Sequence, residues 1–128
     1  MLVAADRLLT VVHVAVVFGF MFLWIPKSTI RLHRWIVGLT AASWLVLGYF
    51  YGPGYCFLTD LHWHVKRSLG VRHLPSSFIK YAGDYVTGTS LPPRIVDGVA
   101  GVVFLVGCVA AIWRYVEERR AAASYRAP

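Results

Sequence analysis

Three apolar runs free of Asp, Glu, Lys and Arg punctuate this chain: Leu8–Ile25, Trp35–Tyr51 and Gly98–Trp113. At a helical rise of about 1.5 Å per residue, runs of roughly 16–18 residues approach the ~30 Å hydrocarbon core of a bilayer, and a few flanking residues complete each crossing. The pattern predicts an all-α integral membrane protein of a single domain, residues 1–128, with transmembrane helices over about 4–25, 34–51 and 94–116. Pro26 stops the first helix and the breaker cluster Gly52–Pro53–Gly54 stops the second. Pro93 sits near a favoured first helical position, and the third helix is expected to run past Trp113 into Glu117–Arg120.

The connection from Tyr55 to Leu91 is too long for a featureless loop in so small a protein. Thr59 or Asp60 can cap a helix that ends at Gly70, with Leu61, Val65 and Leu69 on one stripe beside Lys66 and Arg67. A second segment opens at Ser76 or Ser77 and places Phe78, Ala82, Tyr85 and Val86 on one face, with Lys80 and Asp84 off it. Both read as short amphipathic helices lying in the membrane interface. A fourth span over Leu74–Gly88 is rejected, because Lys80 and Asp84 would each cost at least ~2.5 kcal/mol near its centre.

Composition narrows the functions. The chain is 58% hydrophobic and only 15% charged, with a mean hydropathy of +0.60, so little remains for a soluble core. Its net charge of +7 would suggest nucleic acid in a soluble protein. Here the cations flank the spans (Lys27, Arg31, Arg34, Arg114, Arg119, Arg120), which is the pattern of headgroup anchoring, so no nucleic-acid partner is expected. The flank Met1–Arg7 lacks a basic signal-peptide start, and Trp24–Ile25–Pro26–Lys27 is no small-residue cleavage site, so the first helix is read as retained. Cations crowded into the short turn at Lys27–Arg34 and into the tail place both on the cytoplasmic side. The N-terminus and the 52–93 connection then lie on the outer, periplasmic side. Each span carries a small-xxx-small pair suited to close helix packing: Ala15 with Gly19, Gly38 with Ala42, Gly107 with Ala111. Cys56 and Cys108 lie at different depths, too far apart for a disulfide.

His13 is the one ionisable side chain well inside a predicted span, where such groups are expensive and often functional. With three spans it shares a membrane side with Cys56, Asp60, His62, His64, His73, Asp84 and Asp97. These are transition-metal ligand types, but none shows a recognised metal spacing, and His62 and His64 point about 200° apart on a helix. A b-type haem would need a second histidine at matching depth, which the other spans lack. No phosphate loop, Ser/His/Asp set or CxxC pair is present, so no catalytic residues are assigned and no enzyme of its own is expected. Aromatic residues such as Trp24, Trp35, Tyr51, Tyr55 and Trp113 gather at span ends, as interfacial anchors do.

The stretch Gly54–Tyr55–Cys56–Phe57–Leu58–Thr59–Asp60–Leu61–His62–Trp63–His64, followed by Lys66–Arg67–Ser68–Leu69–Gly70 and Pro75–Ser76–Ser77–Phe78–Ile79–Lys80–Tyr81, resembles a family of small bacterial integral membrane proteins of unknown function. An early histidine in helix one fits the same resemblance. It implies the multi-pass bacterial inner membrane and brings no activity. In it, Cys56, Thr59 and Asp60 would cap and seat an outer helix while Phe78, Ile79 and Tyr81 dock a second onto the bundle. The first functional reading is an accessory subunit packed against a larger respiratory or photosynthetic membrane complex, with membrane lipids and other subunits as partners. The alternative is a protein that binds a quinone, lipid, pigment or metal at its outer face through His13, Cys56, Asp60, His62 and His64. A transporter or channel component would require an oligomer.

Overall fold

A computed structural model of the chain describes residues 1–51 and 55–126. Among these the fold is all-helical, with five α-helices and no strand: α1 Leu2–Phe22, α2 Ile30–Tyr51, α3 Phe57–Ser68, α4 Phe78–Thr87 and α5 Pro93–Arg126, with a short 3-10 turn at Lys27–Thr29 between the first two. Two of them, α1 and α5, are long and apolar enough to cross a membrane. Pro93 opens α5 as expected, and the helix runs beyond Arg120 to Arg126. The expected stop of α2 at Gly52–Pro53–Gly54 lies outside the described residues.

The long helices meet around Phe20. Its ring lies 5.8 Å from that of Phe104 on α5, which in turn stacks at 4.5 Å on Trp44 of α2. Gly107 faces the same ring so closely that a Cβ there would overlap Phe20. Val37 and Ala111 complete this core, with Cys108 packed beside them. The small-residue pairs divide accordingly. Gly107 and Ala111 are buried and Gly19 approaches Ile36, whereas Ala15 and the whole Gly38–Ala42 pair face outward, and nothing lies within 4 Å of a Cβ at Gly38.

The C-terminal end of α1 is closed by distant side chains. His33 Nε2 lies 3.1 Å from the Phe20 carbonyl, Thr29 Oγ1 donates to Leu23 and Arg114 donates to Trp24 and Ile25. Orphan carbonyls at a helix end need such partners when water is scarce. The surface is 9332 Å², against roughly 6,800 Å² for a compact soluble monomer of this mass. Much of it is apolar, including Leu8, Phe18, Leu39, Leu45, Val102, Leu105 and Val109.

The two connecting helices exist as expected, but their faces are differently used. In α3 the residues turned inward are Thr59, His62, Trp63 and Lys66, while Leu61 and Leu69 face out. A carboxylate on α1 draws the polar face in. Helix α3 also starts earlier than expected: Cys56 is the N-cap residue and makes no side-chain cap, while Ser43 of α2 accepts from the Phe57 amide at 2.8 Å. Thr59 and Asp60 are therefore inside the first turn, where their side chains meet His13 and Tyr55 and cap no amide among the described residues. In α4, Phe78 is buried as expected, but Tyr85 and Val86 are exposed and Lys80 is buried. Its ammonium is held by Asp84 at 2.7 Å and by the Leu91 carbonyl at 2.8 Å, which makes its burial tolerable. Ser77 caps α4, and Gly70 and Gly88 take the positive φ that ends α3 and α4.

Candidate functional site

Packing α3 across the N-terminal half of α1 assembles a buried polar cluster from residues more than 40 positions apart. Asp6 Oδ1 accepts from His62 Nε2 at 2.8 Å and from Lys66 Nζ at 2.9 Å. A carboxylate only accepts, so His62 carries its proton on Nε2. Its Nδ1 is buried with no hydrogen-bond partner among the described residues, and the side chain is fully enclosed. The His13 ring lies 5.5 Å from that of His62, stacked at 4.1 Å on Phe78 of α4. Its Nε2 is 3.3 Å from Thr59 Oγ1, and its Nδ1 is buried with no hydrogen-bond partner among the described residues. Lys66 also lies 4.8 Å from the centre of the Tyr81 ring. Burial works against the Lys66 charge, but Asp6 and Tyr81 outweigh it and hold its pKa above the usual lysine value.

His13 and Thr59 form one wall of a cleft of about 400 Å³ between α1, α2 and α5, roofed by the start of α3 and by α4. The roof end is polar, with His13, Thr59, Ser76, Cys56 and Asp97. The other end is closed by Phe20, Trp44 and Phe104. From His13 to Phe20, and from Asp97 to Phe104, is two turns of helix, so the lining passes from polar to apolar over about 10 Å. Pockets of this size, mainly apolar with a few convergent polar groups, are the usual form of small-ligand sites.

Of the expected ligand-binding set, His13 and His62 come together, and Cys56, like His13, lines the cleft. Asp60 does not join: it accepts from Tyr55 at 2.6 Å, and this bond, which favours the protonated phenol, pushes the Tyr55 pKa up to about 12. His64 is exposed on the opposite side of α3 from His62. His73 is exposed, and Asp84 is taken by Lys80 and by the Leu91 amide. Asp84 is in consequence held below its ordinary pKa, first by Lys80. Among the described residues, no three His, Cys, Asp or Glu side chains converge in a way that could hold a metal ion. Tyr81 packs against Trp63, whose indole donates to the Pro75 carbonyl at 2.8 Å, so the two short helices form one roof.

Two members of the cluster escaped sequence reasoning. Asp6 lies in the polar flank before the first apolar run, and Lys66 beside the apolar stripe of Leu61, Val65 and Leu69. The available signal was Asp6, Thr10 and His13, which recur at helical spacing along one side of α1. Residues 3–117, which take in α1 from its second residue, α2, both short helices and α5 as far as Glu117, match the family described as "Protein of Unknown function (DUF2784)". The chain belongs to that family. This agrees with the resemblance drawn from the residues between Gly54 and Tyr81. No curated protein and no solved structure matches the chain. The DUF2784 assignment carries no activity, so function rests on the cleft and the cluster behind it.

Proposed function

We propose that the chain is a three-span membrane protein that binds a small amphiphile in the cleft. The head lies against His13 and Thr59, and the tail lies between Phe20, Trp44 and Phe104. The observation that carries this reading is the polar-to-apolar gradient along a single cleft. Helix α2 serves as the third span: its 22 residues measure about 33 Å, and its Trp44 stacks on Phe104, which also faces Phe20. The exposed apolar faces of α1, α2 and α5 then meet acyl chains. In the bacterial inner membrane, the Lys27–Arg34 turn and the C-terminus face the cytoplasm, and the cleft roof faces the periplasm.

Gly101 tests this reading. It lines the cleft, and nothing lies within 4 Å of a Cβ built on it, so Gly101→Leu fills the space from within without a clash at the Cβ itself. Protein purified in a mild detergent is extracted and its small molecules compared by mass spectrometry. Wild type carries a co-purifying amphiphile that folded Gly101→Leu lacks. Equal amounts of the same molecules in both would sink the proposal.

A second reading, an accessory subunit of a larger membrane complex, draws on the outward Gly38–Ala42 pair. A small-residue face without an internal partner is what close approach of another helix requires. A tagged pull-down from native membranes tests it, through loss of any stoichiometric partner in Gly38→Leu.

A further inference from the structure

The charge of the cleft lining deepens the amphiphile reading, on which the following rests. The chain carries 13 Lys and Arg against 6 Asp and Glu, yet the charged residue that lines the cleft among the described residues is Asp97, a carboxylate. Two lysines stand in the roof and neither serves the cleft. Lys66 is held by Asp6 and lies on Tyr81, and Lys80 is held by Asp84 and the Leu91 carbonyl. The other polar groups are hydroxyls, a thiol and His13. Placed between Phe78 and His62, His13 offers a ring nitrogen rather than a fixed charge.

We infer that the cleft selects amphiphiles with an uncharged or cationic hydrogen-bonding head, such as a long-chain alcohol or amine, and rejects carboxylate and phosphate heads. A phosphate or carboxylate entering the cleft would lose water and meet the like charge of the solvent-exposed Asp97, with no Arg or Lys among the described lining residues to receive it. A hydroxyl or carbonyl head finds Thr59, His13 and Ser76. An ammonium also finds Asp97. Rejection by an opposing charge is a recognised route to specificity.

Trp44 provides the readout, because it lines the cleft. Wild-type protein in an uncharged maltoside detergent is titrated with dibrominated stearyl alcohol, stearylamine, stearic acid and stearyl phosphate, at a pH where both acids are ionised. Bromine quenches indole fluorescence on contact, and the quenching lost in Trp44→Phe is the part assigned to the cleft. The alcohol and the amine are expected to saturate that part at concentrations at least about tenfold below the two acids, a difference of about 1.4 kcal/mol. Asp97→Asn is expected to narrow the gap to about threefold or less. Equal affinity for all four probes, or tighter binding of either acid, overturns the selectivity while leaving the cleft an amphiphile site. Selectivity that survives Asp97→Asn overturns the role of Asp97. The absence of saturable, Trp44-dependent quenching by every probe overturns the binding reading itself.

Discussion

Asp6 Oδ1 is the atom on which the buried cluster depends, since it receives both His62 and Lys66. Removing the carboxylate leaves a buried ammonium without its counter-ion. Breaking a buried pair from one side costs about 3–5 kcal/mol. Asp6 keeps some access to water, which lowers the expected cost of Asp6→Asn to about 2–3 kcal/mol. The measurement is the unfolding midpoint in micelles. Lys66→Met in the Asp6→Asn background should be less costly than in wild type by at least about 0.5 kcal/mol, because the charge it removes has already lost its partner. Lys66 also sets a pH dependence. Its folded pKa lies above the ordinary 10.5, so its stabilisation is fully present below that value and is lost as pH rises through the folded pKa. Exchange protection of α3 amides should therefore fall in strong alkali, and Lys66→Met should abolish that step. At this scale His13 was legible, because an imidazole in an apolar run is conspicuous. Asp6 was not, because its role comes from a partner 56 positions away.

Among the elements, the contact of α1 with α5 turns on one absent side chain. Gly107→Val drives a branched side chain into the Phe20 ring and should cost about 1–3 kcal/mol or more. Gly38→Val meets open space and should change stability by less than about 0.5 kcal/mol. Paired melting curves of the two variants check both. The α4–α5 turn responds to acid instead. Asp84 accepts from Lys80 and from the Leu91 amide, and its folded pKa lies below the ordinary 3.8. That stabilisation is present above pH 3.8 and is lost as pH falls through the folded value. Amide exchange at Leu91 should accelerate in that window, and Asp84→Asn should show the faster rate at neutral pH. The number, order and approximate limits of the helices were legible from apolar runs, Pro93, Ser77 and Gly70. The faces of α3 and α4 were not. Periodicity marks which residues share a side, but Asp6 and the Leu91 carbonyl decide which side turns inward.

For the molecule as a whole, α5 measures about 51 Å at standard rise and exceeds a ~30 Å hydrocarbon core by several turns. Three spans put residues 89 and 124 on opposite sides of the membrane. In a chain with Cys56 and Cys108 replaced, Thr89→Cys and Ser124→Cys should react with a membrane-impermeant maleimide from opposite faces of sealed vesicles. Labelling of both from one face would overturn the proposed topology. The all-helical architecture was legible in the sequence, whereas the cleft, which needs five elements in register, could not be read from any one of them. The pairing of α1 with α3 also has a consequence in time. His13 and Thr59 are separated by 46 positions, and ribosomes add about 5–20 residues each second. For about 2–9 s a nascent α1 carries Asp6 and His13 with no α3 to receive them. On the proposed topology, a chain stalled in that interval would present an unshielded imidazole to lipid until α3 is made.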